Sequence, residues 1–366
     1  MTRSPAEKLV AATASPPRLY FDNAATSWPK PEAVYQAVDQ TLRQVGAAAG
    51  RGGYQAAQTA ATLVQNCRRR IAERLHAETA DTIVLTSNGT AALNLALHGV
   101  LEPGDHVVTT ATEHNSVLRP LAALQQQQGI EWDCIPCDAV GHVAAAAVLA
   151  AVRQDTKLVV VSHASNVTGA VQPLAAIGEG LRDSATLFLC DAAQTLGYLP
   201  LDVQQAGIDL LAAPGHKGLQ GPLGTGLLYV GPRAASRIRP TIQGGTGGQS
   251  DQLTMPASLP DRLEAGNLNV PAIAGLLVGL DWLAEPEGRQ AEQRLTRLAR
   301  QLRQGLQAIE PLQWWMAEDG LPLASLAFPT LEPAEVAAVL DTEFNIQVRS
   351  GWHCAARIHP CLGSAP

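Results

Sequence analysis

Short runs of apolar residues alternate along this chain with stretches whose apolar positions recur every three to four residues. The runs are Ile83–Thr86, His106–Ala111, Leu158–Ser162, Ala185–Cys190, Ile208–Ala213 and Thr225–Val230. They are apolar throughout rather than at every second position, the pattern of strands that helices cover on both faces. Helical periodicity fills the intervals near 90–101, 115–128, 144–153 and 173–183. An earlier helix is predicted from Val34, Val38, Leu42 and Val45, which follow one another at spacings of four, four and three. This alternation predicts an α/β architecture around a largely parallel sheet.

The pattern changes after about residue 270. Two long helical segments, 271–285 and 288–309, are followed by strands near 312–317, 322–328 and 345–349, with a helix over 333–342 between the last two. The expected organisation is therefore a loose tail over 1–18, a large domain over 19–270 and a smaller α+β domain over 271–366.

Length supports two domains, since 366 residues exceed what one compact core usually holds. With 46% apolar and 16% charged residues, the chain has enough apolar surface to bury a large core. The 26 basic and 33 acidic residues give a net charge of -7 without any basic run, which argues against nucleic acid or an anionic membrane as partner. No apolar run has the length of a membrane span, and the first residues do not read as a secretory signal. Six scattered cysteines are too few for a disulfide scaffold, so the expected compartment is the reducing cytoplasm. One count bears directly on chemistry: only Lys8, Lys30, Lys157 and Lys217 carry a primary amine in the side chain.

Ligands of open α/β sheets bind beyond the carboxyl ends of the strands, so the residues that follow each run are the candidates. Ser87-Asn88-Gly89-Thr90-Ala91-Ala92 leads from a strand into a helix whose first N–H groups could meet a phosphate. Thr112-Glu113-His114-Asn115 follows the second run and His163-Ala164-Ser165-Asn166 the third. Asp191-Ala192-Ala193-Gln194 comes next, and then Pro214-Gly215-His216-Lys217-Gly218 inside a Gly-rich stretch. Taken singly, each signal is weak: the glycine turn and His114 read better as a plain turn and a helix cap, and the others as well as a polar turn, a cap or a surface charge. Together they set a phosphate cradle, a His, an Asn, an Asp with a Gln, and a Lys at successive strand ends. That is the equipment of a pyridoxal phosphate (PLP) site, in which the lysine makes a Schiff base and an aspartate keeps the pyridine nitrogen protonated. No Walker A loop occurs, and no GxGxxG follows the first strand.

In this combination the chain resembles the class V aminotransferase-like PLP enzymes, and within them the cysteine desulfurases. The match runs from Tyr20-Phe21-Asp22-Asn23-Ala24-Ala25-Thr26 to Arg349-Ser350-Gly351-Trp352-His353-Cys354-Ala355, nearly the whole chain. The resemblance implies PLP fold type I: a mainly parallel seven-stranded large domain, and a small domain built from both chain ends. A homodimer with sites at the interface is implied as well. Lys217 would form the Schiff base, His114 stack on the ring, Asp191 pair with its nitrogen and Gln194 reach its hydroxyl. Gly89, Thr90, Ala91 and His216 would hold the phosphate, with Asn267 beside it. Asn166, Arg349 and Asn23 would face the substrate, free L-cysteine. Cys354 would be the nucleophile that receives sulfur and passes it to an acceptor protein or a thiol reductant. A free Cys has a pKa of about 8.5, and Arg349 or His353 would raise its thiolate fraction.

The chain departs from the family at three places. Pro214 stands where relatives have Ser or Thr, and Asn267 where they have Thr; both changes predict weaker PLP retention. Relatives also continue past Cys361-Leu362-Gly363-Ser364 with an arginine-bearing strand and a helix, so the small domain reads as shortened and Arg349 as the sole anchor for the substrate carboxylate. The alternatives that stay open are another class V enzyme (a selenocysteine lyase, aminotransferase or epimerase) and a PLP-binding dimer with impaired turnover. Cys134 and Cys137 read as structural residues of a strand, and His353, Cys354, His359 and Cys361 are too irregularly spaced for zinc, so no metal is expected.

Overall fold

The structure is a computed structural model that describes residues 18–50, 52–248 and 251–364. Of the expected N-terminal tail, residues 1–17 lie outside the described residues. The elements are β1 (Leu19–Tyr20), α1 (Glu32–Gln44), α2 (Gln55–Leu75), β2 (Ile83–Thr86), α3 (Gly89–Val100), β3 (His106–Thr110), α4 (Asn115–Gln128), β4 (Glu131–Ile135), α5 (Ala145–Ala150), β5 (Thr156–Ser162) and α6 (Leu174–Leu181). They continue with β6 (Leu187–Asp191), β7 (Leu210–Pro214), β8 (Gly226–Val230), α7 (Pro232–Ala235), α8 (Val270–Ala284), α9 (Pro286–Leu306), β9 (Gln313–Trp315), β10 (Ser325–Ala327), α10 (Pro333–Phe344), β11 (Ile346–Gln347) and α11 (Ile358–Leu362).

Seven strands form one sheet in the order β2-β8-β7-β6-β5-β3-β4, parallel except that β8 runs against both of its neighbours. The continuous apolar runs are explained by burial on both faces. On one face Ile71, Ile83, Phe188, Leu211 and Ile273 share a core; on the other Leu97, Leu121, Leu158, Leu210 and Leu228 do. Because the strands run parallel, their carboxyl ends share one rim, and the candidate residues sit along it.

Two expectations are corrected. The strand expected over Ala185–Cys190 includes Asp191, because the ladder pairs Asp191 with Ser162 on one side and Ala212 on the other. A long helix, α2, was not expected at all. Its buried face combines Ala57, Ala60, Val64, Cys67, Ile71, Ala72 and Leu75 with Arg68, so alanines and a charge dilute the apolar stripe. On that face Arg68 is buried and makes a two-pronged pair with Glu264, 2.6 Å from each nitrogen to its oxygen, and it donates to the Ile83 carbonyl at 2.8 Å. This pair pins the segment before α8 to the start of β2.

Helix α8 begins where the small domain was expected to start. Asn269 caps it by accepting the Ala272 N–H at 3.2 Å, and its face of Val270, Ile273, Leu276 and Leu280 joins the core beside α2. By packing, this helix goes with the large domain. Gly279 lets it lie against the lysine loop, since a Cβ there would stand 2.6 Å from the Leu219 carbonyl oxygen. After it, β9 pairs with β10 antiparallel, and β1 pairs with β11 in parallel, so the two ends of the chain meet. Among the described residues no helix is long and apolar enough to cross a membrane.

Candidate active site

Lys217 stands in the turn after β7, half-buried. The turn is fixed from below by the segment after β1. The His216 carbonyl accepts from the Thr26 hydroxyl at 3.1 Å, the Ser27 N–H at 3.1 Å and Lys30 Nζ at 2.7 Å. The Ser27 hydroxyl donates to the Lys217 carbonyl at 2.9 Å. From the side, Gly218 admits the next turn, because a Cβ there would lie 2.4 Å from the Leu196 carbonyl oxygen. Burial lowers the pKa of the Lys217 amine, Asp191 opposes that effect, and Arg349 adds to it. The same balance shows that Asp191, Arg349, Asp22 and Cys354 all act electrostatically on this amine.

Asp191, the last residue of β6, is buried and accepts the Ala193 N–H at 2.9 Å. Burial raises its carboxyl, while that N–H and Lys217 pull it back down. His114 caps α4: the Ser116 N–H donates to its Nδ1 at 3.0 Å, which leaves the ring proton on Nε2. Burial first, then Lys217 and Arg349, hold His114 down to about 4, so the imidazole is neutral near pH 7. At the start of α3 the Asn88 side chain accepts the Ala91 N–H at 2.8 Å. The N–H of Ala91 is thereby taken up, and Gly89 and Thr90 carry the uncapped end of the helix. Thr90 is joined to the cap of α4 through its hydroxyl, 2.8 Å from that of Ser116.

Cys354 closes the rim from the small domain. Its carbonyl accepts the Asn115 N–H at 2.7 Å, and Asn166 Nδ2 donates to the neighbouring His353 carbonyl at 2.5 Å. His353 and Cys354 both hold left-handed backbone, with φ of 50° and 59°, conformations that non-glycine residues seldom adopt away from functional turns. Arg349 Nη2 donates to Cys354 Sγ at 2.9 Å. Cys354 and His114 line a cleft of about 450 Å³ with Thr90, Asn94, His98 and Arg119. Of the two residues expected beside Cys354 as cations, Arg349 is the one that contacts its sulfur. Burial and Arg349 hold His353 down to about 4, so it is neutral near pH 7.

Some candidates are placed differently from expectation. Both ends of the Asn23 carboxamide are taken up in its own loop, by the Tyr20 carbonyl at 3.1 Å and the Trp28 N–H at 3.0 Å. Gln194 Nε2 donates to the Ala24 carbonyl at 3.0 Å, which braces that loop against β6. Asn267 is exposed, and among the described residues no hydrogen bond joins it to the cluster.

Two residues were missed. Lys30 is one, and the scarcity of lysine was the signal for it. The other is Glu113, fully buried and within electrostatic reach of Asp191. It accepts from the Thr110 hydroxyl at 2.7 Å and from the Ser162 N–H and hydroxyl at 2.8 Å each. Burial pushes its carboxyl from 4.5 up to about 8; the hydrogen bonds oppose the rise and Asp191 adds to it. A folded-state pKa above the unfolded one contributes stability that is complete below 4.5 and lost as pH rises through about 8. The denaturation midpoint of the protein is therefore expected to fall relative to that of Glu113→Gln across this interval. A difference that stays constant with pH would contradict this.

Comparison with known proteins defines the family. The class-V aminotransferase family matches residues 19–364, and the chain belongs to that family. Its relatives include probable cysteine desulfurases of Pyrococcus abyssi, 33% identical, and of Methanothermobacter thermautotrophicus, 32% identical. Each alignment covers 92% of this chain, and 85% and 84% of the relative. The apo cysteine desulfurase of Thermococcus onnurineus NA1 superposes with a TM-score of 0.86 at 30% identity, over 94% of this chain and 87% of the other. The cysteine desulfurase CsdA of Escherichia coli, crystallised in its S-sulfonic acid form, gives 0.85 at 28% identity, over 99% and 92%. Within the family, the reading that these relatives support is an enzyme of the cysteine desulfurase type.

Proposed function

We propose that this protein removes sulfur from free L-cysteine, leaving L-alanine, and that Cys354 takes the sulfur as a persulfide. The observation that carries the reading is that Cys354 lies within electrostatic reach of the Lys217 amine, its thiol engaged by Arg349 at 2.9 Å.

PLP fits the residues present. His216 Nδ1 is buried without a hydrogen-bond partner, and it lies beside Lys217. With the uncapped N–H groups of Gly89 and Thr90, it supports a phosphate position. Asp191 would hold the ring nitrogen, the neutral His114 would lie on the ring face and Lys217 would carry the cofactor. Pro214 cannot contribute the hydroxyl that relatives have. When bound, PLP supplies an electron sink for the pair left by removal of the substrate's α-proton.

The chain's own residues do the rest. The lowered pKa of Lys217 favours the free amine more than in an ordinary lysine, and that is the form that can take up the α-proton. Asn166 and Asn115 hold the loop that carries Cys354, and Arg349 sets the direction of its sulfur. As a thiolate, Cys354 forms an S–S bond with the substrate sulfur while the Cβ–S bond breaks. The carbon keeps that electron pair and takes a proton, ending as alanine. Arg349 has further N–H groups for the substrate carboxylate. The cleft beside Cys354 supports access for an acceptor thiol. A second copy of the chain would cover the segment that bears Asn267, where Ile242 and Leu253 are exposed.

The test is incubation of the PLP-loaded protein with L-cysteine and a thiol reductant. Alanine and sulfide are expected in equal amounts. Neither product, or pyruvate and ammonia in place of alanine, would refute the reading.

A further inference from the structure

Two cysteines outside the site are brought together from distant parts of the chain. Cys137 follows β4, the edge strand of the sheet, and Cys361 lies on α11, seven residues after Cys354. Their side chains meet. Cys137 also packs on the apolar cluster of Val167, Ala355, Ile358 and Leu362 that seats α11. Arg357, at the head of that helix, stands 5.7 Å from the centre of the Trp132 ring on β4. Both thiols are half-buried, within reach of a small reagent.

We propose that Cys137 and Cys361 form a modification site. A low-molecular-weight disulfide oxidises them to an intramolecular disulfide, which fastens α11 to the sheet edge. The Cys361 thiolate attacks one sulfur of the reagent, whose S–S bond breaks and releases one thiol. Cys137 then attacks the Cys361 sulfur, forming the Cys137–Cys361 bond and releasing the second thiol. Two protein thiols are oxidised, one external disulfide is reduced, and the two protons leave with its thiols. Burial and the neighbouring Cys361 push the Cys137 thiol up to about 12, which fits Cys361 as the first to react and Cys137 as the resolving partner. A bond here would tie down the helix into which the Cys354 loop runs.

Oxidised glutathione is the probe, and Cys354→Ala protein removes the competing thiol. The reduced protein is exposed to the probe, alkylated and digested. A cross-linked peptide that joins Cys137 to Cys361 is expected, with loss of those two thiols to alkylation and slower amide hydrogen exchange over 355–364. In the further variant Cys137→Ser, the glutathione adduct is expected to remain on Cys361. A cross-link to Cys134, a lasting adduct on Cys361 with Cys137 free to alkylate, or full alkylation of both would overturn the proposal. So would unchanged exchange over α11 in the cross-linked protein. These readouts need neither cofactor nor turnover, so they stand apart from the desulfurase reading.

Discussion

Lys217→Ala protein is expected to form alanine from L-cysteine more slowly by roughly 10²- to 10⁴-fold, the span that a positioned general base contributes. It is also expected to lose the visible absorbance that PLP gives when joined to a lysine. The rival amine is Lys30, also half-buried, whose ammonium burial lowers to about 8. Lys30 is already committed: its Nζ donates to the Ser27 hydroxyl at 2.6 Å and to the His216 carbonyl at 2.7 Å. It therefore works from beneath, fixing the turn that presents Lys217. Lys217, by contrast, has Asp191, Arg349, Asp22 and Cys354 acting on its amine, and the orphaned His216 Nδ1 is next to it in sequence. Retention of both the absorbance and turnover in Lys217→Ala would move the cofactor to another residue.

The second large effect belongs to Cys354. In Cys354→Ala protein, sulfur bound to the protein after incubation with L-cysteine is expected to fall to background, and so is alanine. The cofactor absorbance is expected to stay. This separation follows from where the residue sits. Cys354 is held on a loop of the small domain by bonds to its own carbonyl and to that of His353. The cradle of Gly89, Thr90, Asp191, His216 and Lys217 is built on the large sheet and on turns at its rim. Replacing the thiol removes the group that Arg349 aims and leaves that cradle alone. Sulfur recovered on Cys361 or Cys137 in this variant, with alanine still formed, would show that a different thiol is the nucleophile.

The large sheet was legible because its strands are covered on both faces, so their runs are apolar without interruption and the chemistry falls in the turns that follow. Asp191, His114 and Lys217 stood out by their position after successive strands, while their roles came with the family resemblance. Helix α2 could not be read: alanine and cysteine make up half of its buried face and an arginine interrupts it, and that arginine becomes intelligible only once Glu264 is seen opposite it. The same limit hid Glu113. Its four-residue motif was visible, but the burial that raises its carboxyl depends on Ser162 and Asp191 arriving from other strands. Asn23 and Ala91 show the opposite case. Residue type and motif offered their polar groups to a ligand, whereas the folded chain uses them locally, in a loop brace and a helix cap. His353 was expected as a cation and is neutral, because sequence carries the residue and not its burial.

The central claim is that Lys217 carries the cofactor. It is tested most directly by reducing PLP-loaded protein with borohydride, digesting it and locating the pyridoxyl group by mass spectrometry. The account predicts a single labelled peptide, with the label on Lys217. A label on Lys30 or Lys157, or no lysine labelled in protein that retains PLP, would contradict it.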